Sequence, residues 1–333
     1  MNKKLSIFAI ILVIIGGIGT VYSGIKSIPY FTNKAYEIQK EMDKEEIIYN
    51  EQIDINKLNI NTINAHVLIK KHNENSVKIT KRGMSNYDIQ NNNKELAITE
   101  KELERKNNYN FKVNNLDDLI DLVKSDIYRH RQDITIYIPN NVDLNVSAKY
   151  GSLNIIDNVA LNNIEFKTIY GAISLPKGVK NLKGLDIVSK SNIRLSMGEI
   201  LGIENINIAA DSINVYSSDD DIFIDNIEKY IPNNVNLNIQ SYGDVYITTD
   251  IPMANNFNIN GHDSQVKLDI PVNKYKFNVD MKASENIDIE DSLDNNNSQN
   301  NIIREIKGTL NKKLESLETE YKININAQNI NIL

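Results

Sequence analysis

Four histidines, His66, His72, His130 and His262, are the first residues to weigh, because an imidazole titrates near neutral pH and serves as base or metal ligand. Their spacing fits no ligand pattern. His66 and His72 flank one predicted hairpin that could bring the rings together, and exposed turn residues are the simpler expectation. Asp219-Asp220-Asp221, with Asp211 and Asp225 nearby, has the oxygen ligands that a hard cation such as calcium takes. The chain has no Asp-x-Asp-x-Asp-Gly loop, so a solvated acidic turn is expected there. Two carboxylates facing each other in a groove would suit glycoside hydrolysis. With 44 acidic residues and no aromatic platform for sugar stacking, no pair stands out. Tyr150, Tyr170, Tyr216, Tyr242 and Tyr246 could line a stripe for protein or carbohydrate contact, and corner packing accounts for them as well. Gly-rich phosphate loops, Gly-x-Ser-x-Gly elbows and His-Glu-x-x-His motifs are missing. The expectation is a protein that is not an enzyme, with no catalytic, cofactor-binding or metal-ligating residues and no cofactor.

The composition narrows the classes further. A chain of 333 residues can bury a real core and suggests one to two domains. Its net charge of -7 disfavours nucleic acid, because phosphate binding needs a basic face. The lack of cysteine removes disulfides, thiol nucleophiles, Cys-based zinc or iron–sulfur sites and a lipidated N-terminal Cys. Asn is abundant, Pro is scarce and Trp is missing.

Lys3 and Lys4 precede an apolar run from Leu5 to Tyr22, interrupted only by Ser6, three glycines and Thr20. That length just suffices for one transmembrane helix. The competing reading is a cleaved signal peptide, with Val21-Tyr22-Ser23 as a poor cleavage site. An uncleaved signal anchor is the preferred reading. The short basic N-terminus then stays in the cytoplasm and the rest lies outside. The predicted organisation is residues 1–24 as cytoplasmic tip and anchor, 25–50 as a stalk, and 51–333 as an extracytoplasmic β-repeat domain.

The elements of that domain follow from periodicity. From Ile53 the apolar residues alternate: Ile53/Ile55, Leu58/Ile60, Val67/Ile69 and Val77/Ile79, the mark of short strands with one buried face. Residues 85–131 read as a partly helical insertion. Leu96-Ala97-Ile98 suits a strand, while Leu116, Leu119, Ile120 and Val123 fall at helical spacing behind Asn115 as N-cap. One stretch then occurs twice: Ile138-Pro139-Asn140-Asn141-Val142 leads to Tyr150-Gly151, and Ile231-Pro232-Asn233-Asn234-Val235 leads to Tyr242-Gly243. Tyr170-Gly171 follows Tyr150-Gly151 by 20 residues, a recurrence that favours a β-solenoid with two strands per coil. Gly at these corners is expected to take positive φ, and Asn at the turns to stack in hydrogen-bonded ladders. Ile302, Ile306, Leu310, Leu314 and Leu317 predict a C-terminal helix over 302–320, and Tyr321, Ile323, Ile325 and Ala327 a final strand. A helix at each end could cap the array.

This pattern resembles the putative-adhesin (LiaG-like) domain family of bacterial envelope proteins. The resemblance rests on the paired strands from Leu58 to Thr80, on Ile134-Thr135-Ile136-Tyr137-Ile138-Pro139, on Leu144-Asn145-Val146, and on the Tyr-Gly corners leading into Leu153-Asn154-Ile155 and Ile173-Ser174-Leu175. It implies one N-terminal membrane span, a mainly β, solenoid-like body and a place in the bacterial envelope or its stress systems, with no catalytic residues to carry over. The function expected is a membrane-anchored, non-catalytic binding or interaction module. Its partners would be the cytoplasmic membrane and other envelope proteins or cell-wall polymers, not nucleic acid. The alternatives are a regulatory component of an envelope-stress system and, less well supported, a polysaccharide-active β-helical enzyme.

Overall fold

The structure, a computed structural model, describes residues 43–72, 75–83, 85–101, 132–157, 159–217, 224–289, 302–311 and 320–333, with Asn33, Tyr36, Glu37 and Lys40 as isolated positions before them. The described chain is mainly β. Strict alternation of apolar and polar residues gives each strand one buried and one outward face, as in Val142–Ala148 and Asp133–Ile138.

Two ladders of strands face each other across one core. The first is parallel and runs β6 (Glu95–Lys101), β2 (Lys57–Thr62), β8 (Val142–Ala148), β10 (Leu161–Thr168), β12 (Leu182–Ser189), β14 (Ile203–Ala210), β16 (Asn234–Ile239), β18 (Asn256–Asp269), β21 (Glu320–Ile332) and β19 (Lys276–Ile289). Ten strands spaced at about 4.8 Å make a ladder roughly 43 Å long. The opposite ladder has two parts. β3 (His66–Lys71), β9 (Leu153–Ile155) and β11 (Ile173–Ser174) form one. β13 (Asn192–Ser196), β15 (Ser212–Tyr216), β17 (Asp244–Thr248) and the second halves of β18, β21 and β19 form the other. A strand, a corner and a strand of the opposite ladder make one rung. From β8 to β18 residues one rung apart are 20–22 positions apart in sequence, except across β14 and β16, where the step is 29. Both long repeats enter first-ladder strands, at Val142 and Val235.

The order of rungs departs from the order of sequence at both ends. β6 and β7 (Asp133–Ile138) lie outside β2 and β3, so the outermost rung is split by residues 102–132. β5 (Asn86–Asn92) pairs antiparallel with β6, and β4 (Val77–Arg82) with β7. β1 (Glu46–Glu51), inside the predicted stalk, closes the edge against β4. At the far end β21 sits between β18 and β19, although these are neighbours in sequence. β20 (Glu305–Leu310) covers β19 antiparallel.

These caps bear on two expectations. The first part of the predicted helical insertion is a hairpin, β5–β6; the strand expected at Leu96-Ala97-Ile98 is there, and the helix at Leu116–Val123 lies outside the described residues. The first half of the predicted C-terminal helix is a strand over Glu305–Leu310, and the rest, with Leu314 and Leu317, lies outside the described residues. Ile302, Ile306 and Leu310 have helical spacing, but Gly308 sits at φ 151, where only Gly is at ease, and the open edge of β19 takes up the backbone groups of this segment. The predicted anchor also lies outside the described residues. Among those described, no helix is long and apolar enough to cross a membrane.

The inward side chains form one continuous core from Ile55 to Ile332. Each Leu, Ile or Val in it contributes about 1.5–3 kcal/mol of burial. The core has one weak seam. β11 and β13 do not pair, and there a single helical turn, α1 (Met197–Ile200), fills the opposite ladder. An apolar cavity of 240 Å³ lies beside it, lined by Val159, Leu161, Leu175 and Pro176 among others.

Candidate binding face

The outward face of the first ladder carries the most regular chemistry of the molecule. Parallel in-register pairing places identical positions of successive rungs side by side. The outward residues of Asn-Ile-Asn-Ile and Asn-Val-Asn-Leu-Asn-Ile segments therefore fall into rows along the axis. In the central row Asn207 Nδ2 donates to Asp186 Oδ1 (2.7 Å), Asn236 to Asn207 (2.8 Å), Asn258 to Asn236 (2.8 Å) and Asn324 to Asn258 (2.7 Å). Every amide points its donor toward the preceding rung. Nearer the other end Asn145 Nδ2 donates to Asn59 Oδ1 (3.0 Å), and Asn59 Nδ2 to Glu95 Oε1.

A second row joins Asn234 to Asn205 (2.7 Å) and Asn256 to Asn234 (3.2 Å). In a third, Asn238, Asn260 and Asn326 are in register, with Asn326 Nδ2 3.5 Å from Asn260 Oδ1. The rows are about 7 Å apart, two residues along a strand. Over β16, β18, β21 and β19 the face forms a trough of 410 Å³ with Asp280 and Lys282 as its charged members. Lys307 Nζ, 2.9 Å from Asp280 Oδ2, pairs with that carboxylate. A smaller hollow of 230 Å³ lies over Asn59, Asn145 and Glu165.

The expected ladders therefore exist, but they run chiefly on strands and only partly at turns. The signal was in the sequence: Asn recurs at the outward positions of apolar–polar alternation, where any polar residue would satisfy the pattern.

The glycine corners are explained by closeness. Gly151, Gly171 and Gly243 do not take positive φ. A Cβ on Gly151 would lie under 3.0 Å from the Ala65 carbonyl, one on Gly171 from that of Gly151, and one on Gly243 from that of Asp211. Successive rungs touch backbone to backbone at this edge, and no side chain fits between them.

Three carboxylates act where that stacking is interrupted. Glu100, buried in the outermost rung, accepts from the backbone N–H groups of Ile63 (2.6 Å), Asn64 (3.1 Å) and Ala65 (3.4 Å) and from Ser85 Oγ (2.6 Å), while Ser85 Oγ also bonds Gln132 Oε1. Burial, and after it the Glu100 charge, push the Tyr87 hydroxyl above the ordinary tyrosine range. Glu199 bridges the seam, accepting from Leu175 N (3.0 Å) and Ser196 N (2.7 Å). Glu285 accepts from Asn329 and Gln328 at the far corner, and these bonds hold its carboxyl below the usual range. Glu100 and Glu199 stand in for the carbonyls a neighbouring rung would supply, whereas Glu285 ties side-chain amides.

The other residues weighed for chemistry are dispersed. His66 and His72 lie at opposite ends of the β3 segment: His66 Nδ1 is 2.7 Å from Ser152 Oγ, and His72 Nδ1 is 3.1 Å from Ser76 Oγ. His72 also stands edge-on to Tyr137, which lies between Lys70 and Lys78 at 5.7 and 5.1 Å. His262 is exposed in the bulge of β18, and His130 lies outside the described residues. Asp219-Asp220-Asp221 also lies outside them, while Asp211 is at a corner and Asp225 in an exposed turn. Among the described residues no group of three or more His, Asp or Glu is placed to hold a metal ion.

The tyrosines form no single stripe. Tyr150 and Tyr170 stack at 6.3 Å with rings 4° from parallel, 47% and 60% exposed. Tyr242, 87% exposed, sits at a corner three rungs on. Tyr216 and Tyr246 belong to the opposite ladder, one under Arg194 at 4.7 Å and the other donating to Asp244 Oδ2 (3.3 Å).

No curated protein matches the chain. Among crystal structures it is similar to a putative cell adhesion protein from Clostridium sporogenes ATCC 15579, at 15% identity over 87% of this chain and 98% of that one, with a TM-score of 0.23. It is also similar to a putative adhesin from Bacteroides fragilis NCTC 9343, at 11% identity over the same shares, with a TM-score of 0.35. The family model for Toastrack DUF4097 matches residues 55–332, from the strand entry before β2 through the end of β21. The adhesin-like resemblance read from the strands and Tyr-Gly corners agrees with it, and the chain belongs to the Toastrack DUF4097 family.

Proposed function

We propose that this protein is a membrane-anchored extracytoplasmic β-solenoid that serves as a non-catalytic binding module at the bacterial cell envelope. The observation that carries the reading is the outward face of the first ladder: rows of amides in register across successive rungs, repeated where a catalytic site would be singular. Such a face offers many equal, weak contacts to an extended partner. The 20–22-residue step between most central rungs supports the solenoid description, and the apolar run Leu5–Tyr22 behind two lysines supports the anchor. Two well-bonded carboxylates, Glu100 and Glu199, are engaged with backbone N–H groups, which suits structure better than proton transfer.

The test compares the full-length protein with a version starting at Ser27, by membrane fractionation and by sedimentation with purified cell walls. The full-length chain should fractionate with membranes, and the shortened one should leave them yet still sediment with walls. A full-length chain in the soluble fraction would overturn the anchor. A shortened chain that no envelope preparation retains would overturn the binding module.

A further inference from the structure

We infer that the asparagine trough over β16, β18, β21 and β19 is a binding site for an uncharged polysaccharide chain lying along the ladder axis. This rests on the binding-module reading and names its ligand class.

The first argument is stoichiometric. A primary amide has two N–H donors and two acceptor lone pairs. Asn236 and Asn258 each spend one donor and one acceptor on their neighbours, and Asn324 spends one donor, through the bonds Asn236–Asn207, Asn258–Asn236 and Asn324–Asn258. Asn236 and Asn258 therefore each still present one donor and one acceptor, and Asn324 one donor and both lone pairs, on rungs at about 4.8 Å intervals. A hydroxyl is itself donor and acceptor, so a polyhydroxylated chain matches this pattern at every step. An extended β-linked glycan advances by roughly one strand spacing per sugar, which lets three or four sugars stay in register with as many rungs.

The second argument is charge. The chain carries 37 basic and 44 acidic residues, yet the trough has only Asp280 and Lys282, of opposite sign, and Asp280 is already paired with Lys307. An anionic polymer would find a single cation, Lys282, in a lining otherwise made of neutral groups and one carboxylate. A peptide would be expected at an open strand edge, where backbone groups are unpaired, not on the face of a ladder whose backbone is already bonded.

The third argument is order. The central amides are fixed by one another before any ligand arrives, so binding does not have to immobilise them. The third row completes the site: Asn238 and Asn260 line the same trough, with only the long 3.5 Å contact from Asn326 to tie that row together. Their amides are the ones with most capacity to spare.

The test uses the full-length protein in detergent micelles, with chitohexaose and cellohexaose as probes and polyphosphate as the anionic control, by isothermal titration calorimetry. Either neutral hexasaccharide should bind and polyphosphate should not. The double variant Asn238→Ala/Asn260→Ala, which leaves the central row intact, should bind roughly tenfold or more weakly, as two lost hydrogen bonds imply. Unchanged circular dichroism and melting temperature in that variant would assign the loss to the trough. No binding of either hexasaccharide, undiminished binding by the folded variant, or binding of polyphosphate alone would each overturn the inference. Retention of the Ser27 version on cell walls alongside any of these failures would leave the binding-module reading standing and remove only the glycan.

Discussion

The backbone-to-backbone stacking at the Tyr-Gly corners makes a prediction whose sign is diagnostic. Gly151→Ala adds one methyl to a buried residue whose φ any amino acid can adopt. On backbone preference alone, Ala should stabilise by about 0.4–1 kcal/mol, because it restricts the unfolded chain. The structure says otherwise. The new Cβ would fall under 3.0 Å from the Ala65 carbonyl, and that group is backbone that cannot rotate away. To reach ordinary contact the rungs must part by about 1.5 Å, an overpacking cost of roughly 1–3 kcal/mol.

Parting them stretches three bonds at the same corner: Lys149 N to Thr62 O (3.0 Å), Tyr150 N to Ile63 O (2.8 Å) and Val67 N to Ser152 O (2.8 Å). Each lost bond costs about 1 kcal/mol. The net expectation is a loss of about 2–5 kcal/mol, concentrated in the interface between the rungs of β3 and β9, as nearest-neighbour stacking requires. Thermal melting of the full-length protein by circular dichroism should fall by about 4–10 °C, taking about 2 °C per kcal/mol for a domain of this size. Gly178→Ala is the contrast. Gly178 has φ 103 and open space where its Cβ would stand, with nothing within 4 Å, so it should lose only about 1–2 kcal/mol of backbone strain. A Gly151→Ala melt at or above the unsubstituted value would refute the stacking argument.

Three further outcomes are expected. Glu100→Gln keeps the shape but removes the charge that three backbone N–H groups and Ser85 address, and should cost about 1–3 kcal/mol in urea unfolding; a neutral result would show that the carboxylate is dispensable. Asn258→Ala removes two links of the central row and should cost about 1–2 kcal/mol by the same assay, while Asn324→Ala, with one such link, should cost about half as much; equal costs would argue against a ladder. Burial, then the hydrogen bond to Glu51, push the Tyr49 hydroxyl up to about 12, and burial first also raises Tyr275. The folded state then holds protons that the unfolded chain releases from pH 10 upward, so this contribution is complete below pH 10 and declines toward pH 12. Equilibrium unfolding across that window should show stability falling, and a flat or rising profile would contradict the assignment.

Much of the fold could be read from alternation, since period-two runs such as Leu144-Asn145-Val146 state which side chains face inward. What could not be read is which strand lies beside which. Tyr321, Ile323 and Ile325 announce a strand, but nothing local places it between Phe257–Ile259 and Phe277–Met281. The helix expected from Ile302, Ile306 and Leu310 fails for a related reason: apolar spacing over two turns is short evidence, and the demand of an open strand edge outweighs it. The corner glycines are recognisable by position but not by cause, because a clash with another rung leaves no local trace. The binding face is half legible. Asn ladders follow from parallel in-register stacking, but outward Asn looks like any solvated residue until the rungs are laid side by side.

The position of β21 also has a temporal meaning. During synthesis the chain emerges from the N-terminal side, and β18 and β19 are available well before residues 320–332. If β18 and β19 paired with each other first, the slot for β21 would be closed, and its insertion would require breaking a formed interface. The β19–β20 hairpin must therefore wait, undocked, until the later strand arrives to join it to the body. Completion of the array is thus a late, long-range event, slower than the addition of the sequential rungs before it. A chain stalled or cleaved before Glu320 would present the bare edge of β18, a template for adhesion to other strands that a proteolytic quality-control system could recognise.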